Sequence, residues 1–186
     1  QLLVGVWLTI QLSFGAMAIG LLVSIICALL KTSGPKPVQW VVNIYVELIR
    51  NTPFLVQIFF IFFGLPALGL RLYPNEAALL ALIINFGAYG TEIIRAGIES
   101  INRGQIEAGI ALGLKPLQVF RYIIIKPALR AIYPALTSQF IYLMLTSSVV
   151  SVISADDLTA VGNQIQSATF AAFEVYLIIT VMYLVL

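Results

Sequence analysis

Residues Gly104–Pro116 read GQIEAGIALGLKP, a run of small residues in the middle of a strongly apolar chain. The pattern predicts a short helix that follows Gly104. Glu107 lies near its N-terminal turn, where the helix dipole favours a carboxylate. Lys115 and Pro116 are typical of a helix end, because a cation interacts favourably with the last carbonyls and proline does not continue a helix.

One face of this helix is made of small residues. Ala108, Ala111 and Leu112 share that face at helical spacing. Small side chains let another backbone approach closely, which favours a helix that lies in the groove of a partner. A plain connector with an incidental helix is the alternative, and the residues alone leave both open.

The composition is that of an integral membrane protein. Of 186 residues, 61% are hydrophobic and 10% are charged, and the mean hydropathy is +1.03. A soluble domain usually carries about 25% charged residues, so this chain has too few polar groups for a water-exposed surface. Histidine is absent and Cys27 is the single cysteine. No metal site is therefore expected, and an intramembrane enzyme is disfavoured, since no paired carboxylates lie within a span.

We predict an all-α fold with five membrane-spanning helices in one domain, residues 1–186. A span needs about 20 mostly apolar residues. The predicted spans cover about 2–30, 54–70, 76–95, 131–153 and 170–186, with a polar loop at 96–130. Residues 38–50 are amphipathic, which indicates a helix at the membrane surface or an extension of the next span. Both ends are expected to be truncated.

The distribution of charge orients these spans. Short cytoplasmic loops carry an excess of Lys and Arg. Nine of the ten basic residues border the first-to-second and third-to-fourth connections: Lys31, Lys36, Arg50, Arg95, Arg103, Lys115, Arg121, Lys126 and Arg130. The other side holds only Arg71. The N-terminus is therefore predicted outside, with the 96–130 loop and the C-terminus in the cytoplasm.

The stretch EAGIALG resembles the EAA motif of ABC-importer permeases, with Glu107, Ala108 and Gly113 in matching positions. Three further blocks are similar to the polar amino-acid branch of the type I importers. They are ELIRNTPFLVQIFFIFFGLP (Glu47–Pro66), GTEIIRAGIESINRGQIEAG (Gly90–Gly109) and TSSVVSVISADDL (Thr146–Leu158). The resemblance covers about Tyr45 to Leu158.

The resemblance implies that the EAA helix is a coupling helix that docks into a cleft on a cytoplasmic ATPase. The residues assigned to this contact are Gln105, Glu107, Ala108, Gly109, Ala111, Leu112, Gly113, Leu114 and Lys115. The chain contains no G-x-x-x-x-G-K-[ST] phosphate-binding loop. We therefore expect a transport subunit and not an enzyme, with ATP and Mg bound by two partner ATPase subunits and no cofactor on this chain.

Three positions depart from the family pattern. Pro127 follows Lys126 one position later than the proline of relatives, so a helix break after the coupling region is expected to shift by a residue. Met144 and Leu145 stand where many relatives carry a Lys-Asp pair. Gly109 replaces the second Ala of the motif, a small-for-small change that is expected to be tolerated.

Polar residues inside the predicted spans mark either a pathway or helix contacts, because buried polar groups are costly in lipid. The residues assigned to a substrate path are Asn85, Tyr89, Glu92, Ser138, Gln139, Thr146 and Ser147. Asn85, Tyr89 and Glu92 share one helical face. Hydrogen bonding between helices is the alternative for these residues, and an ion pair with Arg95 is the alternative for Glu92.

Two further sites lie at the ends of the spans. Arg50, Thr52, Pro53 and Arg95 are assigned to a cytoplasmic gate, where Arg50 either anchors at lipid headgroups or pairs with Glu47 or Glu99. Asp156 and Asp157 either contact a binding protein outside the membrane or cap a helix that starts near Leu158.

The sequence thus predicts a permease subunit of an ATP-driven importer of polar amino acids in the bacterial inner membrane, embedded in membrane lipid. Its expected partners are two ABC ATPases, a second permease chain (a paralogue or a copy of itself), an extracytoplasmic binding protein and the amino-acid substrate, with no nucleic acid. An opine or another small amine-carboxylate is the alternative cargo. An ATP-independent channel or transporter is the alternative of another class, and the coupling loop disfavours it.

Overall fold

The computed structural model describes residues 1–186, and every regular element is helical, which confirms the all-α prediction. The helices are α1 (Leu2–Ser33), α2 (Lys36–Arg50), α3 (Phe54–Phe59), α4 (Pro74–Glu99), α5 (Arg103–Ala111), α6 (Pro116–Val119), α7 (Ile125–Thr146), α8 (Leu158–Thr169) and α9 (Ala172–Val185). Two π turns, Phe60–Gly64 and Phe120–Ile124, extend α3 and join α6 to α7. Two 3-10 segments, Leu65–Leu68 and Ser147–Ile153, follow α3 and α7.

Three helices are long and apolar enough to cross a bilayer: Leu2–Ser33, Pro74–Glu99 and the continuous helix Pro116–Ile153. Lys36–Arg50 and Phe54–Leu68 meet the same test only as a pair, and they are bent by 109° where they join. Ala172–Val185 is a shorter apolar helix. The number of five spans and their boundaries therefore remain predictions.

The centre of the fold is a close contact between α1 and α4. Every buried residue of α1 is small: Gly5, Thr9, Ser13, Ala16, Gly20, Ser24 and Ala28. They recur every three or four positions, so they form one continuous stripe. Ser24 donates a hydrogen bond to its own helix at the Gly20 carbonyl (2.7 Å) and lies 3.2 Å from the carbonyl oxygen of Gly87 on α4. Small side chains of this kind bring membrane helices together by packing and hydrogen bonding.

The loop between α4 and α7 contains the predicted helix, but the bounds of that helix differ from the prediction. Asn102 caps α5, and its side chain accepts a hydrogen bond from the Gly104 amide at 2.8 Å. Gly113 follows the helix with φ +80°, a left-handed conformation that glycine adopts without strain. The predicted end at Lys115 and Pro116 is therefore wrong. Pro116 instead begins α6, since its fixed φ suits the first turn of a helix.

The expected helix break near Pro127 is also wrong. The helix runs from Pro116 to Ile153 without interruption. A π turn at Phe120–Ile124 lies just before Pro127. The wider turn changes the hydrogen-bonding register where the proline cannot donate, and the helix continues.

Candidate functional site

The α5 loop carries an exposed apolar tip. Leu112 is 82% exposed and Leu117 is 76% exposed, although both belong to a region edged by charged side chains. Gln105, Glu107, Ala108, Ala111 and Lys115, which were assigned to the coupling contact, are also exposed. The outer face of this loop is therefore covered by nothing within the chain.

Gly109 differs from these exposed residues in its surroundings. It is buried, and a Cβ added there would collide with Cδ1 of Ile123, with Val119 and Leu114 close by. Gly109 thus packs α5 against the π turn that leads into α7. Its role is to shape the loop, and the assigned docking face lies on the exposed residues.

The bend between α2 and α3 is fixed by hydrogen bonds. Pro53 is the N-cap residue of α3, and the hydroxyl of Thr52 donates to the Leu48 carbonyl at 2.8 Å. Gln57 is buried, and its Nε2 donates to the carbonyls of Ile49 (2.7 Å) and Thr52 (2.9 Å). One amide therefore holds both sides of the bend to which Thr52 and Pro53 were assigned as gate residues.

Asn85 takes part in the same arrangement. It is 4% exposed, and its Nδ2 donates to Oε1 of Gln57 at 2.9 Å. This is a hydrogen bond between helices, the alternative that the sequence left open for Asn85. Because α4 packs rigidly on α1, this bond also fixes the bend relative to the centre of the fold.

Charged residues from three helices meet at Glu92, and we call this set the Glu92 cluster: Lys31, Arg50, Glu92, Arg95 and Glu99. Lys31 on α1 pairs with Oε1 of Glu92. Arg95 donates to Oε2 through Nε (3.1 Å) and Nη2 (2.9 Å), and it also pairs with Glu99. The ion pair with Arg95 predicted as the alternative is therefore present, with Lys31 as a second partner.

Arg50 is the loosely held member of the cluster. Its Nη1 lies 3.8 Å from Glu92 Oε2, which is too long for a hydrogen bond. The guanidinium carbon lies 5.6 Å from the centre of the Tyr89 ring, a distance at which a cation and an aromatic ring attract each other. Neither Glu47 nor Glu99 pairs with Arg50, so both predicted partners are wrong and Glu92 takes their place.

A cavity of about 620 Å³ opens between α4 and α7 at this end of the bundle, and we call it the Arg50 cavity. Its polar lining consists of Arg50, Tyr89, Glu92, Arg95, Ser100 and Gln139. Predicted path residues and predicted gate residues therefore line the same space. Nε2 of Gln139 is buried and has no hydrogen-bond partner, which is unusual for a buried amide.

The remaining assigned path residues lie on α7 and its extension. Ser147 is buried and donates to the Met144 carbonyl at 2.7 Å. Ser138 is exposed and donates to the Pro134 carbonyl at 3.1 Å. Thr146 precedes Ser147 in the chain and is half-buried. Within this chain the serine hydroxyls donate to carbonyls of their own helix. The assignment of these serines to a substrate path remains a prediction.

The opposite end of the bundle holds a second polar group, the Asp157 network: Thr9, Asp157, Thr159 and Tyr183. Asp157 caps α8, since its Oδ1 accepts from the Ala160 amide at 2.7 Å. Tyr183 donates to Oδ2 at 3.2 Å. Thr9 of α1 accepts from the Leu158 amide at 3.0 Å. The network ties α8 and α9 to α1.

The burial of Asp157 decides between its two assigned roles. Its side chain is fully buried, and this burial raises the pKa of the carboxyl, while hydrogen bonds from the Ala160 and Thr159 amides act in the opposite direction. The helix cap predicted as the alternative is confirmed. Of the two aspartates only Asp156 is exposed, where its Oδ2 accepts from Asn75 at 3.2 Å.

The sequence reasoning missed Gln57 and Lys31. Gln57 is the one polar side chain in the apolar run Phe54–Phe63, and an isolated polar residue in such a run is a signal of a buried contact. Lys31 was used only as the end of a span. Its partner lies 61 positions away, and only the packing of α1 on α4 brings the two together.

These features describe an all-helical protein with three helices long and apolar enough to cross a bilayer and a helical loop between α4 and α7. The sequence pattern of the family described as "Binding-protein-dependent transport system inner membrane component" matches residues 20–186. The chain belongs to this family of permeases, which confirms the resemblance found in its sequence.

Proteins similar to this chain include two permeases. The glutamine transport system permease protein GlnP of Escherichia coli K12 is 36% identical over 187 residues, covering 100% of this chain and 85% of that protein. The nopaline transport system permease protein NocM of Agrobacterium fabrum is 37% identical over 194 residues, covering 99% and 80%. A crystal structure of an amino acid ABC transporter with histidines is 42% identical with a TM-score of 0.93, covering 99% of this chain and 86% of that one.

Proposed function

We propose that the chain is the permease subunit of an ATP-driven importer that moves polar amino acids across the bacterial cytoplasmic membrane by alternating access. Two such chains, identical or paralogous, form the path. Two ABC ATPases bind the α5 loops and hold ATP and Mg. A binding protein delivers the cargo at the extracytoplasmic face. The N-terminus lies on that side of the membrane, and the C-terminus lies in the cytoplasm.

The observation that carries this proposal is the uncovered apolar tip of the α5 loop. Leu112 is 82% exposed and Leu117 is 76% exposed in a loop edged by charged residues, and exposed apolar groups rimmed by polar ones are typical of protein interaction surfaces. The loop packs against the long helix, because Gly109 lies against Ile123 near the start of that helix. Leu112 lies in the short turn between α5 and α6, and α6 continues through the π turn into α7, so the exposed tip is close in sequence and structure to the long helix.

The Glu92 cluster supports a gate at the same end. It joins α1, α2 and α4 through a single carboxylate, so a shift of any one helix changes the contacts of the others. Arg50 is the member that leaves most easily, because no hydrogen bond holds it. Asp156 is the surface carboxylate we propose for the binding-protein contact at the opposite end.

The cargo class follows from the relatives, which are named for glutamine and for nopaline. Both molecules combine an ammonium or amine with a carboxylate. We propose a polar amino acid as the cargo and test an opine as the alternative.

The direct test is uptake into proteoliposomes that contain the chain, its co-purified ATPase and its binding protein. We expect uptake of one amino acid from a panel of L-glutamine, L-arginine, L-cystine and nopaline, only when ATP is enclosed on the ATPase side. The variant Leu112→Glu is expected to abolish uptake while the subunit still folds. Leu70→Glu, an equally apolar exposed position in the turn before α4, is the matched control. Uptake that proceeds without ATP would establish the channel or ATP-independent alternative.

A further inference from the structure

We propose that the outward face of α2 lies against phospholipid in the inner leaflet, with its first turn at the headgroups and its later turns against the acyl chains. The residues that carry this contact are Lys36, Trp40, Val41, Ile44 and Leu48. The sequence pattern left open whether this helix lies on the membrane surface or extends the next span. The inference goes beyond the proposed function and rests on it only for which leaflet is the inner one.

The first argument is the depth to which α2 reaches. The helix begins at Lys36, just beyond the end of α1 at Ser33. The hydroxyl of Tyr45 donates to the carbonyl of Ile84 at 2.7 Å, and Ile84 lies well inside α4, a helix long and apolar enough to cross a bilayer. From Lys36 to Tyr45 an α-helix rises about 14 Å, close to half of a hydrocarbon core about 30 Å thick. We infer that α2 climbs along the bundle instead of lying flat beneath it.

A second contact of Tyr45 supports the same depth. A Cβ added at Gly87, near the middle of α4, would lie 2.6 Å from the Tyr45 hydroxyl and 2.9 Å from Val23 of α1. The three helices therefore meet at one level inside the bundle. Tyr45 reaches this level because α2 turns back along α1 after the end of that helix.

The second argument is that α2 has one face for the bundle and another for its surroundings. The buried residues of the helix are Val42, Val46 and Ile49. Val41, Ile44 and Leu48 are exposed, and their spacing of three and four residues makes them one stripe. The neighbouring α1 exposes apolar side chains of the same kind, among them Leu22, Ile26 and Leu29. At the depth that Tyr45 indicates, acyl chains are the surroundings that suit such a stripe.

The third argument is the order of residues along this face. Lys36, Trp40, Ile44 and Leu48 follow one another at four-residue spacing, which keeps them on one side of the helix. Lys36 is exposed and belongs to no ion pair within the chain, and Trp40 is 67% exposed. A lysine attracts anionic headgroups, and tryptophan is enriched where headgroups meet acyl chains. The face thus changes from charged to aromatic to aliphatic in the order in which α2 enters the bilayer.

Trp7 marks the opposite boundary of the bilayer. It lies near the other end of α1 and is also exposed. From Trp7 to Ser33 α1 rises about 39 Å, and α2 comes back by about 6 Å between Lys36 and Trp40. The two tryptophans are therefore about 33 Å apart along α1, which is close to the thickness of a hydrocarbon core. This spacing fits one tryptophan at each interface.

The experiment measures the depth of α2 in vesicles that contain the assembled complex with its ATPase. Single cysteines in a Cys27→Ala background carry the fluorophore nitrobenzoxadiazole, which is quenched by nitroxide groups placed on the lipid headgroup or deep in the acyl chain. The reporter variants are Val41→Cys, Ile44→Cys and Leu48→Cys. The labelled Cys27→Ala complex without an added cysteine gives the background from thiols of the ATPase.

Two positions on α1 serve as controls. Leu22→Cys is exposed in the middle of an apolar helix, and Ser33→Cys is exposed at the end of that helix. We expect quenching by the deep nitroxide to increase from position 41 to positions 44 and 48 and to approach the value at position 22. At position 33 we expect the headgroup nitroxide to quench several-fold more than the deep one.

Lys36→Gln tests the contact with the headgroup. At position 41, quenching by spin-labelled phosphatidylglycerol, which is anionic, is compared with quenching by spin-labelled phosphatidylcholine. We expect the anionic lipid to quench several-fold more when Lys36 is present, and the two lipids to quench equally in Lys36→Gln. Equal quenching by both lipids with Lys36 present would overturn the headgroup contact.

Two other results would overturn the position of the helix. Equal, shallow quenching at positions 41, 44 and 48 would place α2 flat on the membrane surface. No quenching at these positions, with Leu22→Cys quenched normally, would show that a second protein chain covers the face. ATP-dependent uptake by the same vesicles keeps the two proposals apart, since intact uptake with either result leaves the proposed function standing.

Discussion

The Asp157 network and the Glu92 cluster lie at opposite ends of the bundle and satisfy their polar groups in different ways. Asp157 is enclosed, and its two oxygens accept from the Ala160 amide and the Tyr183 hydroxyl. The Glu92 cluster draws three cations to one carboxylate and leaves Arg50 without a hydrogen bond. A closed network of this kind fixes helices in one arrangement. An open one allows an exchange of partners, which a gate requires.

The largest loss of stability is expected for Glu92→Ala. The substitution leaves Lys31, Arg50 and Arg95 facing one another without their shared carboxylate. Removing one partner of a buried ion pair is strongly unfavourable, and for these partly buried groups we expect a loss of about 2–4 kcal/mol. The fall in thermal midpoint of the purified protein measures it. Glu92→Gln keeps the shape and one acceptor and is expected to lose less; equal losses would mean that packing and not charge holds the cluster.

The next largest effect is expected at the bend between α2 and α3. Gln57→Leu removes donors to Ile49 and Thr52 and leaves the Asn85 amide without its acceptor. An unsatisfied buried group costs about 1–3 kcal/mol. In the double variant with Asn85→Leu, both partners are apolar, and the loss is expected to be smaller than the sum of the single losses. Additive losses in thermal unfolding would show that the two amides do not interact.

At the Asp157 network the expected loss is smaller. Asp157→Ala removes the cap of α8 and the acceptor for Tyr183, with an expected cost of about 1–2 kcal/mol. Asp157→Asn keeps an oxygen for the Ala160 amide and serves as the matched control.

The contribution of Asp157 to stability is also expected to depend on pH. Burial raises the pKa of Asp157 in the folded protein. As pH rises, the carboxyl of Asp157 loses its proton in the unfolded chain before it does so in the folded protein. The contribution of Asp157 to stability is therefore fully present below the ordinary pKa of an aspartate, and it is lost as pH rises through the raised pKa of the folded protein. Thermal midpoints measured from pH 4 to pH 8 should show this decline in the wild type relative to Asp157→Asn. Parallel curves for the two proteins would exclude it.

The smallest effect is expected at Thr137, an exposed residue of α7 whose hydroxyl donates only to the Tyr133 carbonyl of its own helix at 2.9 Å. Thr137→Val is expected to change stability by less than about 0.5 kcal/mol. Uptake in proteoliposomes should also be unchanged. A loss of transport at unchanged stability would extend the functional surface to this face of α7.

Much of the fold could be predicted because its signals are local. Apolar runs of sufficient length predict helices, and Asp157 before Leu158 predicts a cap, since both depend on neighbouring residues. The sequence pattern predicts the α5 helix but puts its C-terminal end at Lys115 and Pro116. Gly113 and Pro116 are both typical of residues that follow a helix, and the pattern does not say which of them ends α5. The structure shows that Gly113 ends α5 and Pro116 begins α6.

The arrangement of the candidate site depends on contacts that no local pattern encodes. Glu92 and Arg95 are three positions apart, so their spacing offers an ion pair as the alternative role of Glu92. Lys31 comes close to Glu92 only because the small residues of α1 let that helix pack against α4. The unpartnered amide of Gln139 becomes visible only when α7 is placed beside α4. Spacing along a helix gives the face on which a residue lies, and packing decides what that face meets.

The most direct test of the coupling assignment is a crosslink between the α5 loop and the partner ATPase. In a Cys27→Ala background, Leu112→Cys is labelled with a benzophenone maleimide and irradiated in the presence of the co-purified ATPase, because the excited benzophenone inserts into C–H bonds of any chain it touches; Leu70→Cys serves as the control at the opposite end. We predict a crosslinked permease–ATPase species from position 112 and none from position 70, with a yield that changes when ATP is added. Intact association of the two subunits without any crosslink at position 112 would contradict the assignment of α5 as the coupling helix.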